Sequence, residues 1–463
     1  MRISGRQFFV CILVILLLIG TGEDTFTSPS STMTRSDKIS HSSKFDTSDL
    51  IEIEYMAING NDELLQMATD NNWPGTGYEW DPIIIEGYHF RGYVHHFVVD
   101  NTDLYWEFKN NILDGIDDRY CEIVIGNLRN GKIANNYFVR GAVGIHGIRV
   151  EDCVFSGNKF YNQSWDGVLL EYSNNNIIIG NTFIDEGEGG VLGWVDSKDN
   201  NILYNTVHGS PYGFMFWEGS NDNTVQQNTI HDISIRGVDI QTTGNIVRDN
   251  EIYNIDGDGI SASKPGSEIR DNLIYNGERY GINLYSGSGE AEIKNNVVIG
   301  FEAGAINLHE SDDSRIELND FYDNGEDQAW DYGNNNIFTD NYWHEWIAND
   351  TNENGILDLP KLIAGGDNTD PRPHAIPINP IPSWYDFKPI TGPHPPDPDP
   401  TETTSLTTET STTIDTSNPS ASDTNTTQVE TDGIPLSTWT VGIGASAVLV
   451  IVAILVSRKK QML

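Results

Sequence analysis

One feature constrains this chain more than any other: an asparagine that returns every 22 to 25 residues, at Asn111, Asn136, Asn158, Asn181, Asn205, Asn228, Asn250, Asn272, Asn296, Asn319 and Asn341. Three residues before each stands an apolar residue, from Phe108, Ile133 and Phe155 through Ile202 to Phe338. Two residues after each stands another, from Leu113 through Phe160 and Ile230 to Trp343. A repeat of constant length, too short to bury its apolar residues alone, must stack on its own copies, so the region is a solenoid.

A third column begins at Gly144, Gly167, Gly190, Gly213, Gly237, Gly259 and Gly281, continues at Ala305, and introduces stretches such as GVLLEY, GFMFWE and GINLY. Each period therefore holds three short strands and three turns, with no room for a helix. The predicted fold is all-β, a right-handed parallel β-helix of about eleven coils, stacked ~4.8 Å apart into a rod roughly 50 Å long. Asparagine suits the repeated corner because it tolerates left-handed backbone and its amides can donate to one another up the stack. These asparagines are read as structural.

Around this body the chain changes character. Arg2 and Arg6 precede an apolar run from Phe8 to Ile19, read as a signal peptide over 1–22, with an uncleaved anchor as the alternative. Residues 23–50 are Ser/Thr-rich. An N-terminal cap and first strand are expected over 51–85, including the amphipathic NDELLQMATDNN, then the β-helix over 86–345 and a Trp- and Pro-rich cap over 346–388. A Pro/Thr/Ser stalk over 389–433 carries no Lys or Arg, and residues 434–457 form an apolar transmembrane segment before Arg458, Lys459 and Lys460 in the tail 458–463. This predicts a single-pass plasma-membrane protein with its bulk outside the cell, where the sequons at Asn162, Asn349 and Asn425 would be accessible.

With 27 Lys+Arg against 68 Asp+Glu the formal net charge is −41, which excludes nucleic acid as a partner. Cys11 leaves with the signal, and Cys121 and Cys153 fall in different columns of the repeat, so they are expected to stay unpaired.

At this point the residues resemble the NosD-like and carbohydrate-binding β-helix proteins, particularly those of archaeal cell surfaces. The resemblance spans about residues 73 to 380 and rests on GTGYEWDPIIIEGY, the N-x-[IV]-x-x-N-x-[IF] coils and NYWHEWIANDTNENGILDLPKLI. It fixes fold more firmly than function. The copper-loading role that names NosD calls for clustered soft or imidazole ligands. This chain has six Met in no Met-rich motif, and His208 and His231, predicted to stack, are continued by Tyr253 and Tyr275, as in a plain aromatic ladder.

Three sets of residues carry candidate chemistry. Asp350, Asn352, Asn354, Ile356 (through its carbonyl) and Asp358 have the spacing of a calcium loop, with Gly355 at the turn, although Lys361 stands where an EF-hand places its bidentate Glu. A polar Asn/Asp turn is the other reading. In the glycine-led strands alternation puts positions +1 and +3 inside and +2 and +4 outside. The outer face then carries Glu171, Trp194, Trp217, Gln241, Asn283 and Tyr285, indoles and polar groups suited to a sugar ring, unless the aromatics pack under a loop or edge strand. Asp196, Glu218 and Asp239 lie on neighbouring coils as carboxylates a glycan hydrolase or lyase would use. No basic residue is expected on this face, and no phosphate loop or serine elbow stands out. The expectation is a surface-displayed polysaccharide-binding β-helix stiffened by calcium, with a glycan-cleaving enzyme and a ligand-free structural protein as the alternatives.

Overall fold

The computed structural model describes residues 49–92, 94–115, 119–325 and 327–386. The signal peptide, most of the 23–50 segment, the stalk, the transmembrane segment and the tail all lie outside the described residues. Among the described residues no helix is long and apolar enough to cross a membrane.

Strands β1 (Ile51–Ile53), β2 (Met56–Asn59) and β3 (Ile83–Glu86) each found one sheet, and every third strand thereafter as far as Tyr342–Trp343 joins the same sheet, while Lys361–Leu362 and Thr369–Asp370 pair antiparallel on their own. The result is three parallel sheets of thirteen, twelve and twelve strands wound about one axis, a parallel β-solenoid. A parallel crossover between neighbouring strands takes the right-handed turn, so the solenoid is right-handed. The axis is filled by the columns read from the sequence. Phe108, Ile133, Phe155, Ile178, Ile202, Val225, Val247, Ile269, Ile293 and Ile316 are fully buried. In the column beside them Phe138, Phe160 and Phe183 stack with centroids 4.5 and 4.8 Å apart.

The glycine column is steric in origin. A Cβ built on Gly167 would lie 2.2 Å from Phe183 Cδ1 and 2.9 Å from the Gly190 carbonyl oxygen, so the next coil occupies the space a side chain would need.

The asparagine ladder is continuous. From Asn111 to Asn319 each backbone N–H donates to the Oδ1 of the next ladder asparagine at 2.8–3.1 Å. Each Nδ2 also donates to a carbonyl of the preceding coil, as Asn205 does to Ile178 at 2.8 Å. The expected reason for asparagine needs one correction. The left-handed residue is the one before it, at Asn110, Asn135, Gly157, Tyr204, Gln227, Asp249 and Leu318 among others, while the ladder asparagines themselves have ordinary φ. Asparagine is there for its amide, and the corner's strain falls on its neighbour. A second ladder, missed in the sequence, runs through Asn176, Asn200, Asn223 and Asn245 at the corner between the second and third sheets.

Both ends of the first ladder are closed by other residues. Tyr88 stands in the first rung and donates its N–H to Asn111 Oδ1 at 2.9 Å. At the far end Asp370 Oδ2 accepts from the Asn341 N–H, the Asn341 amide and Trp343 Nε1 at 3.0–3.1 Å. Helix α1 (Asn61–Asp70) buries Leu64 and Ala68 against the first coil, with Trp73 Nε1 donating to the Tyr88 hydroxyl. After Trp343 the chain folds back, so that the Ile378 and Asn379 N–H groups donate to Asp320 and Trp384 lies on Tyr275. Cys121 and Cys153 are both free and buried.

Candidate functional site

The inside/outside alternation places the second sheet's residues as expected on the inner side, where Val168, Leu170, Phe214, Phe216, Val238 and Ile240 are at most 1% exposed. Outside, three columns run up the face. The central one contains His146, Leu169, Leu192, Met215, Asp239, Ser261, Asn283 and Asn307 in register, and every member is buried. The expectation of an open polar strip is corrected here, because large side chains on the two flanking columns close over the middle one. Tyr212 with Trp165, Trp194 and Trp217 does so across Leu169, Leu192 and Met215. Higher up, Arg236 from one flank meets Tyr285 from the other, 5.1 Å over its ring.

The flank that holds Arg236 was absent from the sequence reading. It consists of the residues immediately before each glycine, Asp166, Gly189, Tyr212, Arg236 and Asp258. Alternation carried back past the glycine would have sent these residues inside, but a Cβ on Gly237 or Gly259 would meet Ile252 or Ile274 in the core, so each glycine and the residue after it both face inward and the residue before it is turned out. The expectation that no basic residue stands on this face is therefore overturned by Arg236, joined by Arg279 3.7 Å from Asp258.

Among the predicted carbohydrate-binding residues, Trp217, Gln241, Asn283 and Tyr285 meet in one network. Asp239 accepts from Arg236, Ser261, Gln241 and Trp217 Nε1 at 2.8–3.1 Å. Asp258 accepts from the Tyr285 hydroxyl at 2.8 Å and the Asn283 amide at 3.0 Å, and Arg236 also donates to the Tyr285 oxygen at 3.2 Å. Burial, seconded by Asp258, pushes the Tyr285 hydroxyl above its usual range, so it stays a donor. Of the three acids proposed for catalysis, Asp239 is thus buried with both oxygens filled. Asp196 and Glu218 are exposed on successive turns, with the Asp196 N–H donating to the Glu218 carbonyl at 3.0 Å and Lys198 3.6 Å from Asp196.

Trp194 and Trp217, both half-buried, occupy consecutive rungs and line a cleft with Trp165, Asp166, Glu188 and Glu218. Trp217 meets Tyr212 edge-on at 6.5 Å. Three indoles with carboxylates at the rim offer apolar faces beside hydrogen-bond acceptors.

Glu171 belongs to a different group. It lies 3.2 Å from His146 Nε2, whose Nδ1 faces Cys121 Sγ at 3.9 Å. His95 Nδ1 donates to the Cys121 carbonyl at 2.9 Å. Burial alone would raise the thiol, but contacts with His146 and His95 outweigh it and bring the thiol down to about 6. The same thiol and Glu171 hold His146 well above its usual range against the effect of burial.

In the predicted calcium loop the carboxylate oxygens of Asp350 accept the N–H groups of Asn354 and Gly355 at 3.1 and 2.8 Å, and Asp358 accepts from Thr351 at 2.9 Å. Asn352 and Asn354 accept backbone N–H groups in the same turn. Among the described residues no group of three or more His, Cys, Asp or Glu side chains is gathered as a metal ligand set. His208 and His231 stack at 5.0 Å in the predicted aromatic ladder, which continues through Tyr253 and Tyr275 at 4.9 and 4.8 Å.

Two family descriptions match the coils. "Right handed beta helix region" covers residues 194–321, and "Periplasmic copper-binding protein (NosD)" covers residues 96–237. Among the described residues no group of three or more His, Cys, Asp or Glu side chains is arranged to hold the copper of the second description. No curated protein matches the chain in sequence. Solved structures with a similar course include the mannuronan C-5 epimerase AlgE6 A-module of Azotobacter vinelandii, at 14% identity and TM-score 0.47, over 60% of this chain and 93% of that one. An alginate lyase from a Paenibacillus species is 15% identical with TM-score 0.38, over 55% and 97% of the two chains. PfbA, a surface adhesin of Streptococcus pneumoniae, is 11% identical with TM-score 0.37, over 56% and 79%. Both descriptions fall on the coils of the three-sheet solenoid, and over residues 96–321 the chain is similar to the NosD-like right-handed β-helix proteins.

Proposed function

We propose that the second sheet's outer face binds polysaccharide, with the Trp165–Trp194–Trp217 cleft as the platform for a sugar ring and Glu188, Glu218 and Gln241 as partners for its hydroxyls. The observation that carries this reading is the cleft itself, three indoles and carboxylates converging on one opening. Binding is favoured over cleavage by the three predicted acids because Asp239 is filled by four donors while Asp196 and Glu218 stand exposed on turns, so these three form no acid–base pair across the cleft.

In the same reading the protein is held at the cell surface by residues 434–457, helix α1 and residues 346–386 act as end caps, and calcium bound by Asp350, Asn352, Asn354, Ile356 and Asp358 stiffens the second cap. The turn's oxygen-rich donor set supports the calcium part.

The test is retention of the purified protein on a panel of immobilised polysaccharides with calcium, scored together with new reducing or unsaturated chain ends. Retention that falls at least tenfold in Trp217→Ala, without new ends, is the expected result. New ends that disappear in Asp239→Asn would replace it with a hydrolase or lyase, and retention indifferent to Trp217 would leave a structural role.

A further inference from the structure

The same face carries a row of groups for which sugar binding has no use. His95, Cys121, His146 and Glu171 stand on four successive coils and cross the face diagonally, His95 and Cys121 on the Asp166 flank, His146 in the central column and Glu171 on the tryptophan flank. Cys121 and His146 are 2% exposed and Glu171 7%. A thiol, an imidazole 3.9 Å from it and a carboxylate 3.2 Å behind that imidazole make a nucleophile, a base and an orienting group, with both ring nitrogens engaged. With Nε2–H given to Glu171, the Nδ1 of His146 is the acceptor that faces the thiol, so the ring is placed to take the Cys121 proton and become the imidazolium of a thiolate pair. His95, Asp166, Glu171 and Glu188 are the other titratable groups around the pair, and Asp166 Oδ1 is buried without a hydrogen-bond partner.

We propose that Cys121 is a nucleophilic thiolate, paired with His146 and positioned through Glu171, that reduces hydrogen peroxide. The sulfur attacks one peroxide oxygen and the O–O bond breaks. The departing hydroxide takes the imidazolium proton of His146 and leaves as water. Cys121 becomes a sulfenic acid, oxidised by two electrons as the peroxide is reduced by two. Cys121 shares a buried apolar cluster with Val124, Val143, Leu169 and Leu192, so a small peroxide is expected to reach the thiol more readily than a bulky one. Cys153 is the internal control: equally buried, it has no imidazole beside it, donates to the Glu151 carbonyl at 3.3 Å, and is pushed by burial up to about 12.

The full chain is exposed to hydrogen peroxide, quenched with catalase, unfolded in the presence of iodoacetamide, and the remaining alkylatable Cys121 and Cys153 are counted by peptide mass spectrometry. Cys121 is expected to be lost at least tenfold faster than Cys153. Its rate should stay level between pH 6.5 and 8.5, where an ordinary thiol of pKa ≈ 8.5 speeds up roughly fiftyfold. Glu171→Gln, which keeps the shape of the site, should slow the reaction and restore the ordinary pH dependence, with an unchanged circular dichroism melt as the check on folding. His146→Asn should do the same more strongly, and cumene hydroperoxide should react at least tenfold more slowly than hydrogen peroxide. Equal rates at the two cysteines, an ordinary-thiol pH profile in the parent chain, or equal rates with the two peroxides would overturn the proposal. Polysaccharide retention is a separate readout, so either reading can fail without the other.

Discussion

Two corners of this solenoid follow one geometric rule with opposite chemistry. At the corner between the third and first sheets, each ladder asparagine receives on its Oδ1 the N–H groups of the preceding rung and gives its own to the next, and all are at most 2% exposed. At the corner between the first and second sheets the same N–H-to-side-chain step is made with acids. The Gln163 N–H donates to Glu186 Oε2 at 3.0 Å, and Glu122 Oε1 accepts from Gly115 and Val139 at 3.2 and 3.1 Å. An amide is donor and acceptor at once and can be repeated without limit, whereas an ionised carboxylate only accepts. Accordingly Glu186 Oε1 is buried with no hydrogen-bond partner, whereas Glu122 has the Gln163 amide beside it. Burial pushes both Glu122 and Glu186 well above the usual carboxylate range. The amide corner stabilises at any pH, while the acid corner depends on protons.

The sharpest way to break that contrast is Asn205→Asp, which puts the acid corner's chemistry into the amide ladder. The new carboxylate would still accept from Asn181 but would face Asn228 Oδ1 and the Ile178 carbonyl with nothing to donate. At pH 7.5 we expect a loss of about 3–5 kcal/mol in denaturant unfolding followed by circular dichroism. The buried acid's folded pKa would be raised, so the loss shrinks as pH falls towards 4, where the folded state keeps the proton it needs. A cost that is the same at both pH values would mean the ladder's amides matter for shape alone.

Glu186→Gln runs the exchange in reverse and should stabilise. The folded pKa of Glu186 lies well above its unfolded value, so the folded state binds the extra proton and stability falls as pH rises from about 4.5 towards the folded pKa. The glutamine variant lacks that slope. It is expected to gain about 1–2 kcal/mol at pH 7.5 and nothing at pH 4. A variant less stable than the parent at both pH values would show that the carboxyl proton itself holds the corner. Glu122→Gln should give a smaller gain in the same direction, about 0.5–1 kcal/mol, since Glu122 Oε1 already holds two backbone N–H groups.

The contrast also explains what could be read in advance. The ladder, the core columns and the three strands per coil were legible because each is a residue type repeated at fixed spacing. Asn176, Asn200, Asn223 and Asn245 repeat too, but over fewer rungs and beside serines, and were passed over. The site residues do not repeat. Trp217, Gln241, Asn283 and Tyr285 were found by alternation alone, whereas Arg236 and Asp258 stand one position before the glycine at which the count began. The approach of Cys121 to His146, 25 residues apart, follows from a diagonal between coils that no one-column pattern reports.

A third stack, on the outside of the first sheet, separates the effect of stacking from that of hydrogen bonding. His208, His231, Tyr253 and Tyr275 lie nearly parallel, with interplanar angles of 6–12°, and the stack is held by ring contact along the rungs. Burial and the neighbouring His231 lower the pKa of His208, so the folded state resists the proton that the unfolded chain accepts. Stability from this column is therefore complete above the unfolded histidine pKa of about 6.5 and is lost as pH falls below it. His208→Tyr continues the aromatic run without the charge. Because these rings face solvent, the expected gain is small, about 0.5 kcal/mol or less at pH 5.5 and close to nothing at pH 7.5, measured as a difference in melting temperature between the two chains. A gain at pH 7.5 as large as that at 5.5 would assign the effect to ring area, and the outer stack would then join the amide ladder as a pH-independent element, leaving the acid corner as the part of the coil that titrates.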